Sequence, residues 1–151
     1  MSNFKTRNQN YVEKVKKSFL AQSAMNTMGI NLISITLGKI KMQLKKNGLI
    51  LQQQGFIHGG VIASGLDSAC GFAALTLCEE NFEVLTIEFK TSFFAPGISD
   101  TIDFEGRVVK SGKRVCFCES EANSLINGEN KLIAKMSASI AMVEVPPGWK
   151  I

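Results

Sequence analysis

Between residues 52 and 74 the chain reads QQQGFIHGGVIASGLDSACGFAA, and these residues carry most of the chemistry it could do. They include its only histidine, His58, the glycine pair Gly59 and Gly60, an amide at Gln52, and one acid, Asp67, among small apolar residues. Asp is a poor residue inside a helix, and burying a charge is costly unless it is paired. No Lys or Arg occurs between Lys46 and Lys90, so a salt bridge would need a distant partner such as Arg107 or Arg114. A carboxylate of this kind suits general-base work. The glycine pair stands where a helix begins, and first-turn N–H groups with the positive end of the helix dipole favour an anion or a developing oxyanion. Asp67 shares its helical stripe with Gly60, Ala63, Ser64, Gly71 and Ala74, which leaves room beside the carboxylate.

Bland readings compete at each position. His58 can be a loop-capping histidine, Gln52 can satisfy the loop backbone, and Asp67 can be a polar helix residue without a catalytic part. Cys70, one turn beyond Asp67, is a rival nucleophile, but Cys is commonly a small buried hydrophobe and no activating cation is near in sequence. A lone His without HxH or HExxH spacing is a poor metal ligand set, and the expectation is a site with no metal and no cofactor.

These residues need a helix to carry them. From Gly59 to Glu80 the chain is poor in turn residues, with Ile62, Leu66, Ala69, Ala73 and Leu77 on one helical face. A leading helix is expected within residues 1–29, since Tyr11, Val12, Val15, Phe19 and Leu20 recur at three- to four-residue spacing. Beyond Gly29 a period of two takes over, on Ile33, Ile35 and Leu37 and then on Ile40, Met42 and Leu44; the phase change at Gly38 predicts a glycine bulge in one long strand. Leu85, Ile87, Phe89 and Phe93 alternate with Thr86, Glu88, Lys90 and Ser92, and Ala95-Pro96-Gly97 ends that strand. Further strands are expected at about 101–110, 114–122 and 132–145, joined at Ser111-Gly112 and Asn127-Gly128. Connections this short make the strands antiparallel. The fold class is therefore α+β, a curved antiparallel sheet wrapped around one buried helix, with a core over residues 30–145 in a single domain spanning residues 1–151.

The 151 residues are 45% hydrophobic, enough for one sizeable core. The net charge of +4 is uneven: residues 1–46 hold nine Lys or Arg against the single acid Glu13. Lys39, Lys41 and Lys45 alternate with apolar residues, as on a half-solvated strand, so a nucleic-acid partner is not expected. No apolar run approaches the ~18 residues a membrane span needs, and the first thirty residues lack a signal-peptide pattern, so a cytoplasmic chain is expected, with no membrane partner and with its four cysteines reduced.

An amide six residues before HGG, with an acid nine residues after the His, resembles the hotdog-fold acyl-CoA thioesterases, in particular the phenylacetate-pathway type. The resemblance runs from about Ile30 to Val143 and takes in FFAPG at residues 93–97 and VVKSGKRV at 108–115. It implies an acyl-CoA substrate and a homodimer joined sheet edge to sheet edge, which could pair into a tetramer, with each site at the subunit seam. By the same resemblance Asp67 would attack the thioester carbonyl or activate water, and the Gly59 N–H, helped by Gln52, would polarise the carbonyl oxygen. His58 would orient groups near the departing thiolate, and Thr86 would position the water or the carboxylate. Gln52 stands where much of that group has Asn. Gly60, Ser64 and Phe93 are candidate substrate contacts, and Phe93 and Phe94 read either as channel lining or as core. Lys110, Lys113 and Arg114 flank a turn and are candidates for the phosphates of coenzyme A. The main alternative is a hotdog module that binds an acyl-CoA or lipid without hydrolysing it; a hotdog lyase acting on hydroxyacyl thioesters is another.

Overall fold

The computed structural model describes residues 4–149. Its elements in chain order are α1 (Tyr11–Ala21), α2 (Ser23–Met28), β1 (Ile30–Thr36), β2 (Lys39–Lys45), a 3-10 turn (Gly48–Ile50), α3 (Gly59–Leu75), β3 (Phe82–Phe93), β4 (Thr101–Ser111), β5 (Val115–Ile126) and β6 (Glu129–Glu144). The six strands form one curved antiparallel sheet in the order β1-β2-β4-β5-β6-β3. α3 lies across it, against β2 to β6. This is the hotdog arrangement.

The apolar face of α3 drives the packing. Leu66, Ala69 and Ala73 are wholly buried and Ile62 nearly so, facing Ile102, Phe104, Ile133, Met136 and Ile140 of the sheet. Two glycines set how closely the layers approach. A Cβ on Gly106 of β4 would stand 2.3 Å from the Ala69 carbonyl oxygen, and one on Gly65 of α3 would stand 2.4 Å from the Phe104 ring. Buried hydroxyls tie the layers further: Ser120 donates to the Leu66 carbonyl at 2.9 Å, and Thr76 accepts from the Gly38 N–H at 2.7 Å while donating to the Ala73 carbonyl.

Three sequence expectations are corrected. The leading helix is broken: Gln22 leaves helical geometry at ψ 95°, so α1 ends at Ala21 and α2 turns away before Gly29 closes it in the left-handed region. Gly38 is not a bulge in one strand. At φ +75° it turns the chain back, and β1 and β2 pair as a hairpin. α3 ends at Leu75, short of Glu80, with Thr76 as its C-cap. The other turn is as the sequence indicates, since Asn127 and Gly128, at φ 52° and 79°, join β5 to β6 with the two positive angles a two-residue hairpin favours.

α1 is held by its own polar and apolar faces. Val15 and Phe19 are buried, with the Phe19 and Phe72 ring centroids 5.6 Å apart, and the Lys14 ammonium donates to the carbonyls of Glu79, Glu80 and Phe82. Much of the basic head is paired internally: Lys16 with Glu13, and Lys39 and Lys41 with Glu105. Among the described residues no helix is long and apolar enough to cross a membrane.

Candidate active site

The loop ahead of α3 is pinned from two sides. The Ile57 N–H donates to the Gly97 carbonyl and the His58 N–H to the Ile50 carbonyl, both at 2.9 Å. The Ala95-Pro96-Gly97 turn therefore does more than end β3, because it fixes where α3 begins. A Cβ on Gly97 would press on Ile62, Ile57 and Ile102 at 3.1 to 3.3 Å.

His58 is the N-cap of α3. Its extended backbone carries the ring back over the first turn, where Nδ1 accepts from the Gly60 N–H at 2.9 Å, and its carbonyl accepts from Val61 and Ile62. Of the four donors a helix start leaves open, only that of Gly59 has no acceptor among the described residues. The expectation that Gly60 offers its N–H to a substrate is thus corrected, because His58 occupies that donor. Ser64 is likewise engaged, donating to the Gly60 carbonyl at 2.9 Å.

Gly59 lines a cleft of about 370 Å³ together with Gln52, Phe93, Phe94 and Pro96. Phe93 and Phe94 are half-exposed there, 50% and 60%, so they are cleft wall and not core. The Gln52 side chain turns onto its own loop: its carbonyl accepts from the Gln54 N–H and its amide donates to the Gln54 side chain at 2.8 Å. It lines the cleft without aiming its amide at Gly59.

Asp67 stands elsewhere on the helix. Its Oδ1 accepts from Thr86 Oγ on β3 at 2.7 Å, and no ion pair reaches it among the described residues. Arg107, one of the distant candidates, pairs instead with Glu119 at 2.5 Å. Strand pairing slips between Thr86 and Glu88, and Val84 and Thr86 face α3. Asp67 and Thr86 open on a second cleft with Ser18, Gln22, Glu83 and Val84. Asp67 lies eight positions beyond Gly59 on α3, about 12 Å along the axis. One carbonyl cannot touch both within a single chain, since reacting groups must approach to about 3 Å.

Lys110, Lys113, Arg114 and Cys70 line neither cleft. β4 runs from Thr101, near the Gly97 turn, to Ser111, so Lys110, Lys113 and Arg114 lie roughly 30 Å along the strand from the start of α3. Lys113 and Arg114 line a separate hollow with Arg7, Glu79 and Phe82. Cys70 is wholly buried and gives its thiol to Ser120 Oγ; burial pushes that thiol up to about 12, which removes it as a nucleophile at ordinary pH. The sequence reading missed Glu83, Ser18 and Gln22. An acid between Phe82 and Val84 was a signal for the first, and nothing in the sequence marked the other two.

A hotdog sheet around an α-helix that begins HGG and carries an acid held by a strand threonine defines a class of protein. The family model of the thioesterase superfamily matches residues 54–127. A thioesterase family protein from Silicibacter pomeroyi is 35% identical, over 89% of this chain and 98% of its own, with a TM-score of 0.86. The chain belongs to the thioesterase superfamily, and it is an enzyme of the thioester hydrolase class. The same fold recurs at lower identity in the E. coli PaaI protein from the phenylacetic acid degradation operon, 17% identical over 93% of this chain and 98% of that one, TM-score 0.80. It recurs also in a thioesterase from Haemophilus influenzae, 16% identical over 88% and 91% of the two chains, TM-score 0.78.

Proposed function

We propose that this protein hydrolyses an acyl-CoA or aryl-CoA to the free acid and coenzyme A, at sites shared between two copies of the chain. The observation that carries the reading is the division of labour along α3. A free oxyanion donor stands at its start and a held carboxylate about 12 Å further on, each in its own cleft. A two-fold dimer that sets two α3 helices side by side in opposite directions would bring Gly59 of one copy towards Asp67 of the other. β3 supports such a seam, because it is an edge strand with β6 as its one neighbour. Its apolar residues Leu85, Ile87 and Phe89 are about half exposed. Phe89 also shares an outer-face groove with Val109 and Phe117, which pairing of dimers would cover.

In this reading the thioester carbonyl oxygen accepts from the Gly59 N–H. The Asp67 carboxylate, fixed at Oδ1 by Thr86, takes a proton from water as the water oxygen bonds to the carbonyl carbon. The tetrahedral oxyanion then re-forms its C=O, the C–S bond breaks with its electron pair going to sulfur, and the thiolate takes the proton back from Asp67. Direct attack by Asp67, forming a mixed anhydride that water opens, uses the same atoms. One aimed oxyanion donor contributes about 3 to 4 kcal/mol and a positioned base about 10²- to 10⁴-fold in rate, sufficient for an already activated thioester. His58 acts as the cap that keeps the Gly59 N–H pointing outward. Lys110, Lys113 and Arg114 lie far from Gly59, but Arg114 is two strands from Val84 of the Asp67 cleft, since Val84 pairs with Met142, whose N–H donates to the Arg114 carbonyl, so contact with coenzyme A can come from either copy.

The test is a thiol-release screen over short, medium, long and aromatic acyl-CoAs, with Asp67→Asn as control. Turnover of at least one class, lost by a factor of 10² or more in the variant while the fold is kept, is the expected result. Tight acyl-CoA binding with no thiol released would replace the hydrolase by a binding module. Undiminished turnover in Asp67→Asn would place the chemistry on another residue.

A further inference from the structure

Residues 4–10 cross the end of the sheet where the β1–β2 and β4–β5 turns lie, and they bring a cation there that the hydrolysis scheme does not use. Phe4 packs on the core, so close to the first turn that a Cβ on Gly38 would stand 2.7 Å from its ring. Thr6 Oγ accepts from the Asn8 N–H at 3.2 Å and donates to the Asn8 carbonyl at 2.6 Å. Asn8 is buried, and its Oδ1 accepts from the Asn10 N–H at 2.8 Å. Arg7 is held between these ties. It is exposed, yet its charge reaches the buried thiols of Cys78 and Cys116, so its guanidinium stands over the chain just beyond α3 and the start of β5.

There Arg7 shares a hollow of about 600 Å³ with two further cations. Lys113 and Arg114 come from the β4–β5 turn, where the Gly112 N–H donates to the Val115 carbonyl and the Arg114 carbonyl accepts from the Met142 N–H, both at 2.8 Å. All three cations are exposed, and none enters an ion pair among the described residues. Glu79 is the acid on the same rim and pairs with none of them. The inner side is apolar: Phe82 is partly exposed, and Cys78 and Met142 are buried.

This chemistry narrows the occupant. Like charges gathered around one hollow repel, and a polyanion relieves that repulsion. Two guanidinium forks and an ammonium suit phosphate oxygens, which take paired N–H donors from a planar fork. The open face of Phe82 suits a flat ring. A phosphorylated purine nucleoside supplies both.

We infer that this hollow binds an adenosine phosphate, with Arg7, Lys113 and Arg114 on its phosphate groups and Phe82 against its base. Two sources carry that chemistry: the nucleotide end of coenzyme A, and a free adenine nucleotide acting from outside the catalytic clefts. The first source suits the spacing. Met142 of the hollow is the cross-strand partner of Val84 in the Asp67 cleft, and Phe82, Val84 and Thr86 alternate along one side of β3. Phe82 and Thr86 are about 13 Å apart along the strand. A pantetheine arm of about twelve bonds reaches roughly 14 Å when extended. Assignment to coenzyme A rests on the reading of the protein as an acyl-CoA hydrolase; the hollow itself does not.

The experiment titrates adenosine 3′,5′-bisphosphate, ADP and inorganic phosphate into the whole protein by calorimetry, and into Arg7→Gln and Arg114→Gln. A thermal melt of each exposed-site variant checks the fold. At least one nucleotide should bind saturably and ten-fold or more tighter than inorganic phosphate. Each variant should weaken it roughly ten-fold, the size of a hydrogen bond to an ionised group. No saturable binding at millimolar nucleotide, inorganic phosphate binding as tightly as the nucleotides, or affinities unmoved in both variants overturns the inference. Kinetics then separates the sources, through the ratio of kcat/KM on an acyl-CoA to that on the matching S-acylpantetheine, which lacks the nucleotide. A roughly ten-fold fall of that ratio in Arg7→Gln assigns the hollow to the substrate's own nucleotide. Nucleotide binding that the variants weaken, with the ratio unmoved, assigns it to a free nucleotide. If no thioester is hydrolysed, the underlying reading falls while calorimetry still decides the site.

Discussion

Replacing Gly59 by proline would delete one hydrogen atom from the chemistry and almost nothing from the fold. Proline is well tolerated at the first position of a helix, where its missing N–H has no intrahelical partner to lose. The residue before it must be extended, and His58 already is, at φ −60° and ψ 133°. Space is available, since a Cβ at Gly59 would meet the Phe93 ring at 3.5 Å, an ordinary contact. The His58 cap onto Gly60 is untouched. Stability should therefore stay within about 1 kcal/mol of wild type, with a bias towards a gain because proline restricts the unfolded chain. Turnover should fall by about 10² to 10³ in kcat, the effect of losing one oxyanion donor, while KM moves little. Thiol release under saturating acyl-CoA, with a thermal melt of the same sample, measures both. A Gly59→Pro enzyme of normal stability and normal kcat would refute the assignment of that N–H to the oxyanion.

Other consequences follow from packing and ionisation. Gly106→Ala puts a methyl group 2.3 Å from the Ala69 carbonyl oxygen, so α3 must shift by about 1 Å. Overpacking of this kind costs about 1 to 3 kcal/mol, and a shift of that size two residues from Asp67 should lower kcat/KM by about 10²-fold; calorimetry and kinetics read the two effects. Cys70 and Cys78 have thiols pushed up to about 12 by burial, and burial raises Cys116 and Cys118 as well. A raised folded-state value contributes stability that is whole below the unfolded thiol range near pH 8.5 and is lost as pH rises from there towards about 12. Urea titrations at pH 8, 9 and 10 should show stability falling by up to about 1.4 kcal/mol per pH unit for each thiol, and a flat profile would show that the thiols ionise freely in the folded protein.

How far the residues announced this structure depends on whether each signal was local. The face of Ile62, Leu66, Ala69 and Ala73 is a helical repeat that tertiary packing only confirms, and Asn127-Gly128 is a turn by its own dihedral preferences. Gly38 was ambiguous because a period of two changes phase at a bulge and at a reversal alike, and pairing of β1 with β2 decides between them. The leading helix breaks at Gln22, just beyond the Phe19 contact with Phe72, and no local pattern marks the break. In the site, the spacing of His58, Gly59 and Asp67 gave the residue types. Their separation into two clefts and the closing of Gly60 by His58 are three-dimensional facts. Glu83 was overlooked because an acid beside a phenylalanine looks like any edge-strand charge until its oxygen proves to be buried.

The shared site is tested most directly by mixing two dead enzymes. Asp67→Asn and Gly59→Pro chains, each inactive as a pure preparation, are co-expressed with different tags and the mixed dimers are isolated. In such a dimer one site unites the intact Asp67 of one copy with the intact Gly59 of the other, so about half of the wild-type turnover per dimer should return. Mixed dimers as inactive as their parents would contradict the account and confine each site to a single chain.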